Sequence, residues 1–145
     1  MYQAFIVFVF IAFLIGMTTE SARRQNTNYH TSFSITAGQN INDYGGFVSN
    51  WSKSNKTFTG TVSDATLALP TWVSHPGYIS NYVVTGTTYI YYVPQSGFAS
   101  NQLVTFLSSK GNTAGINSSG ILYNGATNVG TVPAAVPNGA VVLKL

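Results

Sequence analysis

The sequence predicts an α+β fold: a single N-terminal membrane-anchor helix, then a small domain with one or two helices packed on a mostly antiparallel sheet. Three observations predict it. Residues 4–17 read AFIVFVFIAFLIGM, without a charge. Phe33, Ala37, Ile41, Tyr44, Val48 and Trp51 recur at intervals of four, four, three, four and three, the spacing of one helix face. From Ile79 onward, short β-branched and aromatic runs alternate with Gly, Asn and Pro, the punctuation of strands and tight turns. The chain divides into an anchor at 1–19, a juxtamembrane linker at 20–32 and an extracytoplasmic α+β domain at 33–145.

The anchor comes first. Residues 1–19 offer ~17–19 membrane-compatible residues, enough to cross a hydrocarbon core of about 30 Å. Inside lipid the backbone satisfies its own hydrogen bonds, which demands a continuous helix. Met1-Tyr2-Gln3 lacks the basic side chains of a signal peptide, and Glu20 spoils a small-residue cleavage site, so the segment reads as uncleaved. Gly16-Met17 with Glu20 only superficially resembles a prepilin cleavage site, because here the apolar run precedes it. Arg23 and Arg24 flank the C-terminal end, and the positive-inside rule alone puts the domain in the cytoplasm. The absence of cysteine, 6% charged residues and abundant Asn, Thr, Ser, Gly and Tyr are instead the composition of an exported domain. The two signals oppose each other.

The domain follows, about 120 residues and the size of one small folding unit. Its helix spans Phe33 to Trp51 and ends near Ser54-Asn55, with Gly45 and Gly46 weakening or bending it. Phe58, Gly60 and Val62 mark an extended turn, and Asp64 caps a helical turn before Leu67-Ala68-Leu69, stopped by Pro70. Residues 72–77 read as a loop turning at Pro76-Gly77. Residues 79–85 and 87–93, joined at Gly86, make an antiparallel hairpin that puts Tyr89 and Tyr91 on one face, Ile90 and Tyr92 on the other. A second helix lies within 97–110, capped by Ser100 or Asn101, with Leu103, Phe106 and Leu107 inward and Gly111 just past its end. Extended pieces follow at 114–116, 120–123 and 129–132. The final strand, 140–145, ties down the C-terminus.

Chemistry is scarce. The acids are Glu20, Asp43 and Asp64, and the histidines are His30 and His75. There is no GxSxG elbow, no phosphate loop and no metal-ligand spacing, so neither catalysis nor a metal or other cofactor is expected. In the domain, Lys53, Lys56, Lys110 and Lys144 stand scattered against Asp43 and Asp64, which makes no basic stripe for nucleic acid. Asn55-Lys56-Thr57 and Asn117-Ser118-Ser119 match glycosylation sequons, a pattern common by chance in Asn-rich chains.

Read in order, the apolar anchor, a helix ending at Trp51, Phe58-Thr59-Gly60, Leu67-Ala68-Leu69-Pro70-Thr71-Trp72, a strand at 88–93 with Pro94, Gly97-Phe98, Ala114-Gly115 and Val136-Pro137-Asn138-Gly139-Ala140-Val141 resemble the PilM family. These small proteins are encoded with thin, type IVb conjugative pili on bacterial plasmids. They are distinct from the actin-like protein that shares the name in type IVa systems. The resemblance covers nearly the whole chain and rests on the order and spacing of structural motifs. It implies an inner-membrane-anchored component of the pilus assembly apparatus or basal body, supporting conjugation in liquid, with its domain in the periplasm. It implies no catalysis and no cofactor. Other pilus-assembly proteins are the implied partners, with inner-membrane lipid meeting residues 4–17; neither nucleic acid nor a small-molecule substrate is expected. The alternative is an exported or pilus-associated binding module, minor-pilin- or adhesin-like, on a surface of tyrosines and asparagines. Candidate partner contacts are Trp51, Trp72, Tyr89 and Tyr91, although core packing is the commoner role for any one aromatic.

Overall fold

The computed structural model describes residues 31–71, 73, 76–95 and 100–145, and in it the apolar stripe becomes helix α1 over residues 31–54. Among the described residues no helix is long and apolar enough to cross a membrane. The anchor assigned to 1–19 lies outside them, as do linker residues 20–30. Thr31 and Ser32, read as linker, are helical. Ala37, Ile41, Tyr44 and Val48 are buried, and Phe33 and Trp51 at the two ends of the stripe are half-buried. The helix runs through Gly45-Gly46 without a break. A Cβ on Gly45 would lie 2.9 Å from Leu145 Cδ1 and 3.2 Å from Ile90 Cγ1, so this glycine marks a close approach of helix and sheet. Its low helix propensity is offset by that packing.

The chain leaves α1 through a turn closed by Phe58 N–H donating to the Asn55 carbonyl at 3.0 Å, then enters β1 (Thr59–Gly60). A short helix α2 (Asp64–Leu67) follows. Its cap is Ser63 rather than Asp64: Ser63 is extended, and its hydroxyl accepts from Thr66 N–H at 3.3 Å. Asp64 is the first helical residue, where its charge favours the N-terminal dipole.

The hairpin is β2 (Ile79–Val84) and β3 (Thr87–Tyr92), paired from Ile79↔Tyr92 to Val84↔Thr87. Thr85 and Gly86 turn it with φ of 43° and 87°, the type I′ geometry that matches strand twist. Helix α3 (Ser100–Ser109) buries Leu103, Val104 and Leu107, and Gly111 beyond it takes φ 80°, as its position past the helix end requires. Ser100 and Asn101, read as caps, are already inside the helix. Four strands complete the chain: β4 (Thr113–Ser118), β5 (Ile121–Asn124), β6 (Thr127–Thr131) and β7 (Val141–Lys144).

Among the described residues these strands form one seven-stranded sheet in the order β1-β2-β3-β7-β4-β5-β6, each neighbouring pair antiparallel. Two meanders, β1-β2-β3 and β4-β5-β6, are thus joined side by side by the last strand of the chain. Residues 34–145 form one compact unit. On one face α1 packs against the sheet through Gly45 and Ile90, with Ser52 and Thr88 hydroxyls 3.0 Å apart. The opposite face carries a second core: Tyr89, Leu122, Val132, Val136, Ala140 and Val142. Three of these, Val132, Val136 and Ala140, come from the strap at 132–140 that leads from the sheet edge to its centre.

Candidate partner-binding surface

The open sheet face follows from strand alternation. In β2 the side chains of Ser80, Tyr82 and Val84 share one side, and in β3 those of Thr87, Tyr89 and Tyr91. Tyr82 stands directly opposite Tyr89, and Tyr91 lies opposite Val142 of β7. Tyr82, Val84, Tyr91 and Val129 are partly buried hydrophobics packed around the second core. The strap covers the β5 and β7 side of this face, while Tyr82, Val84 and Tyr91 keep part of their surface open.

The four aromatics nominated by the sequence fare differently. Tyr91 belongs to this half-open patch. Tyr89 is only 7% exposed and belongs to the second core beside Tyr82. Burial pushes its phenol above the ordinary tyrosine range, and Lys144 Nζ sits 5.8 Å from its ring centroid. Trp51 is half-buried at the end of α1 and meets Phe58 edge-on at a centroid distance of 4.9 Å, which ties the helix to the start of β1. Trp72 lies outside the described residues. The sequence reading missed Tyr82. Its signal was the alternation Ser80-x-Tyr82-x-Val84 together with the tight turn, which sets Tyr82 against Tyr89.

Electrostatically the patch is mildly cationic. Lys144 points onto it, and Asp43 and Asp64, the carboxylate side chains among the described residues, sit on α1 and α2 instead. Such a surface, aromatic and weakly charged, has the composition found at interface cores.

The buried polar groups serve structure. Asn81, 2% exposed, accepts from Val62 N–H at 2.8 Å and donates to Val62 O at 2.8 Å and to Tyr44 Oη at 2.6 Å. Tyr44 in turn donates to Asp64 Oδ1 at 3.2 Å. Burial is the main reason that the Tyr44 phenol is pushed up to about 12; the Asn81 hydrogen bond lowers it, and Asp64 raises it through its charge and by accepting the phenol's hydrogen bond. A phenol so held keeps its proton through the ordinary pH range. Asn117, 3% exposed, donates to the Val136 and Pro137 carbonyls at 2.9 and 3.0 Å and accepts from Gly120 N–H at 2.9 Å. Its amide is spent on the strap, which rules out the sequon reading for the folded protein. A hollow of about 330 Å³ beside it is lined by Asn117, Ser119, Val132, Pro133 and Asn138, among others. Among the described residues no three His, Cys, Asp or Glu side chains gather to hold a metal ion. His30 and His75 lie outside them.

A family model for PilM matches residues 7–143. The chain belongs to the PilM family. Crystal structures of two PilM-named proteins are similar to it. One, from Pseudomonas aeruginosa 2192, is 24% identical, with 77% of this chain and 93% of that one covered and a TM-score of 0.47. The other, from Escherichia coli B7A, is 14% identical, with 79% and 93% covered and a TM-score of 0.55. The second likeness shows a shared fold. No curated protein matches the sequence.

Proposed function

We propose that this PilM-family chain is an inner-membrane-anchored structural component of type IVb (thin) pilus biogenesis, a basal-body or assembly scaffold that supports conjugation in liquid. Family membership carries the reading, because it makes the chain a pilus-assembly-related protein. In this reading the uncharged run at 4–17 holds the chain in the inner membrane, the domain lies in the periplasm, and it acts by binding rather than by catalysis. Its partners are other assembly proteins, and they dock on the half-open face of Tyr82, Val84 and Tyr91. One observation favours that face: Tyr82 and Tyr91 keep part of their surface open there, and aromatic side chains are enriched at interface centres.

Deletion of the gene is expected to abolish thin pili and liquid mating, and the wild-type gene to restore both. A Tyr82→Thr/Tyr91→Thr variant is expected to accumulate normally yet fail to restore mating. Normal piliation in the deletion strain would sink the scaffold reading; full rescue by the double variant would remove the docking face and leave the scaffold. Recovery of the protein with sheared pili, away from inner-membrane vesicles, would favour a pilus-associated binding module instead.

A further inference from the structure

The strap at 132–140 holds an unused piece of chemistry. Asn138 is followed by Gly139, and both are exposed. In an Asn-Gly pair the glycine nitrogen meets no side-chain hindrance on its way to the asparagine side-chain amide. After losing its proton to a base, the Gly139 nitrogen bonds to Asn138 Cγ and ammonia leaves, giving a cyclic imide. Water then adds to either imide carbonyl and opens the ring to aspartate or isoaspartate. The net change is one water taken up and one ammonia released, with no oxidant or cofactor.

The fold holds both reacting groups in other bonds. Gly139 N–H donates to the Asn117 carbonyl at 2.8 Å, and Asn138 Oδ1 accepts from Ser119 N–H at 2.9 Å. Between them, Pro137–Ala140 close a turn, with Ala140 N–H donating to Pro137 O at 3.3 Å and Gly139 at φ 79°. That is the φ of the third residue of a type II turn. Asn117 locks the same turn from beneath through its side chain and by its own N–H, which donates to Ala140 O at 2.8 Å. A nitrogen fixed in a turn and hydrogen-bonded away from Cγ cannot attack it until the strap opens.

We propose that Asn138–Gly139 is a masked deamidation site: the latched strap protects it, and once the strap opens, conversion to isoaspartate prevents relatching. Isoaspartate inserts an extra methylene into the main chain, so the Pro137–Ala140 turn no longer closes on Asn117. A transient opening, which exposes the core side chains Val132, Val136 and Ala140, is thereby made permanent.

The chain supplies its own comparator. Asn124-Gly125 is a second Asn-Gly pair, at the β5–β6 turn, where Asn124 donates to Ser108 Oγ at 3.0 Å, outside the strap's latch. Trypsin cutting after Lys110 and Lys144 places both pairs in one peptide. The full chain is incubated in mildly alkaline buffer, folded and in urea, and conversion at each asparagine is read by mass and fragment ions. Asn138 is expected to convert about tenfold or more slowly folded than unfolded. Asn117→Ala is expected to speed conversion at Asn138 in the folded protein and leave Asn124 unchanged. Equal rates at Asn138 folded and unfolded, or no acceleration in a folded Asn117→Ala protein, would overturn the masking. If Asn117→Ala does not fold, graded urea below the unfolding midpoint replaces it. Asn138 should then accelerate before Asn124, and a joint rise only at the midpoint would overturn the proposal. Chains carrying isoaspartate at position 138, resolved by peptide mapping from chains converted at Asn124 or to aspartate, are expected to melt at lower temperature; an unchanged Tm would overturn the relatching block.

Discussion

At the scale of single residues, the asparagines and one tyrosine do what composition alone cannot announce. Asn81 and Asn117 each hold an irregular segment through side-chain hydrogen bonds, one clasping Val62 and the other the strap. In the sequence they look like any polar residue of an Asn-rich chain, because nothing local distinguishes a buried amide from an exposed one. Tyr44 was legible as an apolar-stripe residue, but its hydroxyl partners lie 20 and 37 positions away. Tyr44→Phe is expected to cost about 1–2 kcal/mol in urea unfolding, the usual effect of removing one partner from a buried hydrogen-bond network. The pH dependence follows from the same burial. The folded protein holds the Tyr44 proton up to about pH 12, against an ordinary 10.0, so this contribution to stability is full below pH 10 and is lost as pH rises toward 12. Stability followed across that window should fall less steeply in Tyr44→Phe; an unchanged slope would show that Tyr44 is not the group responsible.

Elements were read with more success where the signal was periodic. The stripe from Phe33 to Trp51 became α1, and the two strands around Gly86 became β2 and β3. Both depend on local chemistry: one repeats at the pitch of a helix, and the other needs a residue tolerant of positive φ at its turn. The adjacent glycines of α1 looked alike and are not. A methyl group added at Gly46 would meet nothing within 4 Å, so Gly46→Ala is expected to stabilise by about 0.5–1 kcal/mol through helix propensity alone. Gly45 faces Ile90, Leu143 and Leu145, and Gly45→Leu is expected to destabilise by about 1–3 kcal/mol through overpacking. Thermal melts of the two variants should move in opposite directions. The strap was illegible as an element because it has no periodicity; only its contacts with Asn117 and the second core define it.

For the whole molecule, the decisive feature is where the chain's last strand goes. β7 lies between β3 and β4, with Val141, Val142 and Leu143 buried. Removing residues 138–145 takes out Ala140 and three large buried aliphatic side chains, Val141, Val142 and Leu143, the three worth about 5–9 kcal/mol. That rivals the roughly 5–15 kcal/mol total stability of a domain. The truncated chain is expected to lose its cooperative unfolding transition and become protease-sensitive throughout. A persistent cooperative transition would show that the two meanders fold without their joining strand. Membrane topology belongs to this scale too. A reporter active only in the periplasm, fused after Leu145, is expected to be active, and protease added to spheroplasts is expected to cleave the domain. An inactive fusion and a protected domain would put it in the cytoplasm, as Arg23 and Arg24 alone would direct.

Legible in one dimension were the α+β class, the helix stripe, the hairpin turning at Gly86, and a PilM resemblance that the family match shows to be membership. These rest on interactions within a few residues, or on an order of motifs that survives in one dimension. Long-range packing set the rest: β7 joins the two meanders, the strap packs on the face of Leu122 and Val142, and Tyr82 completes the patch around Tyr91. Strand order, like the burial of an asparagine, is fixed by contacts between residues far apart in the chain, and the energy of those contacts exists only once the sheet has closed.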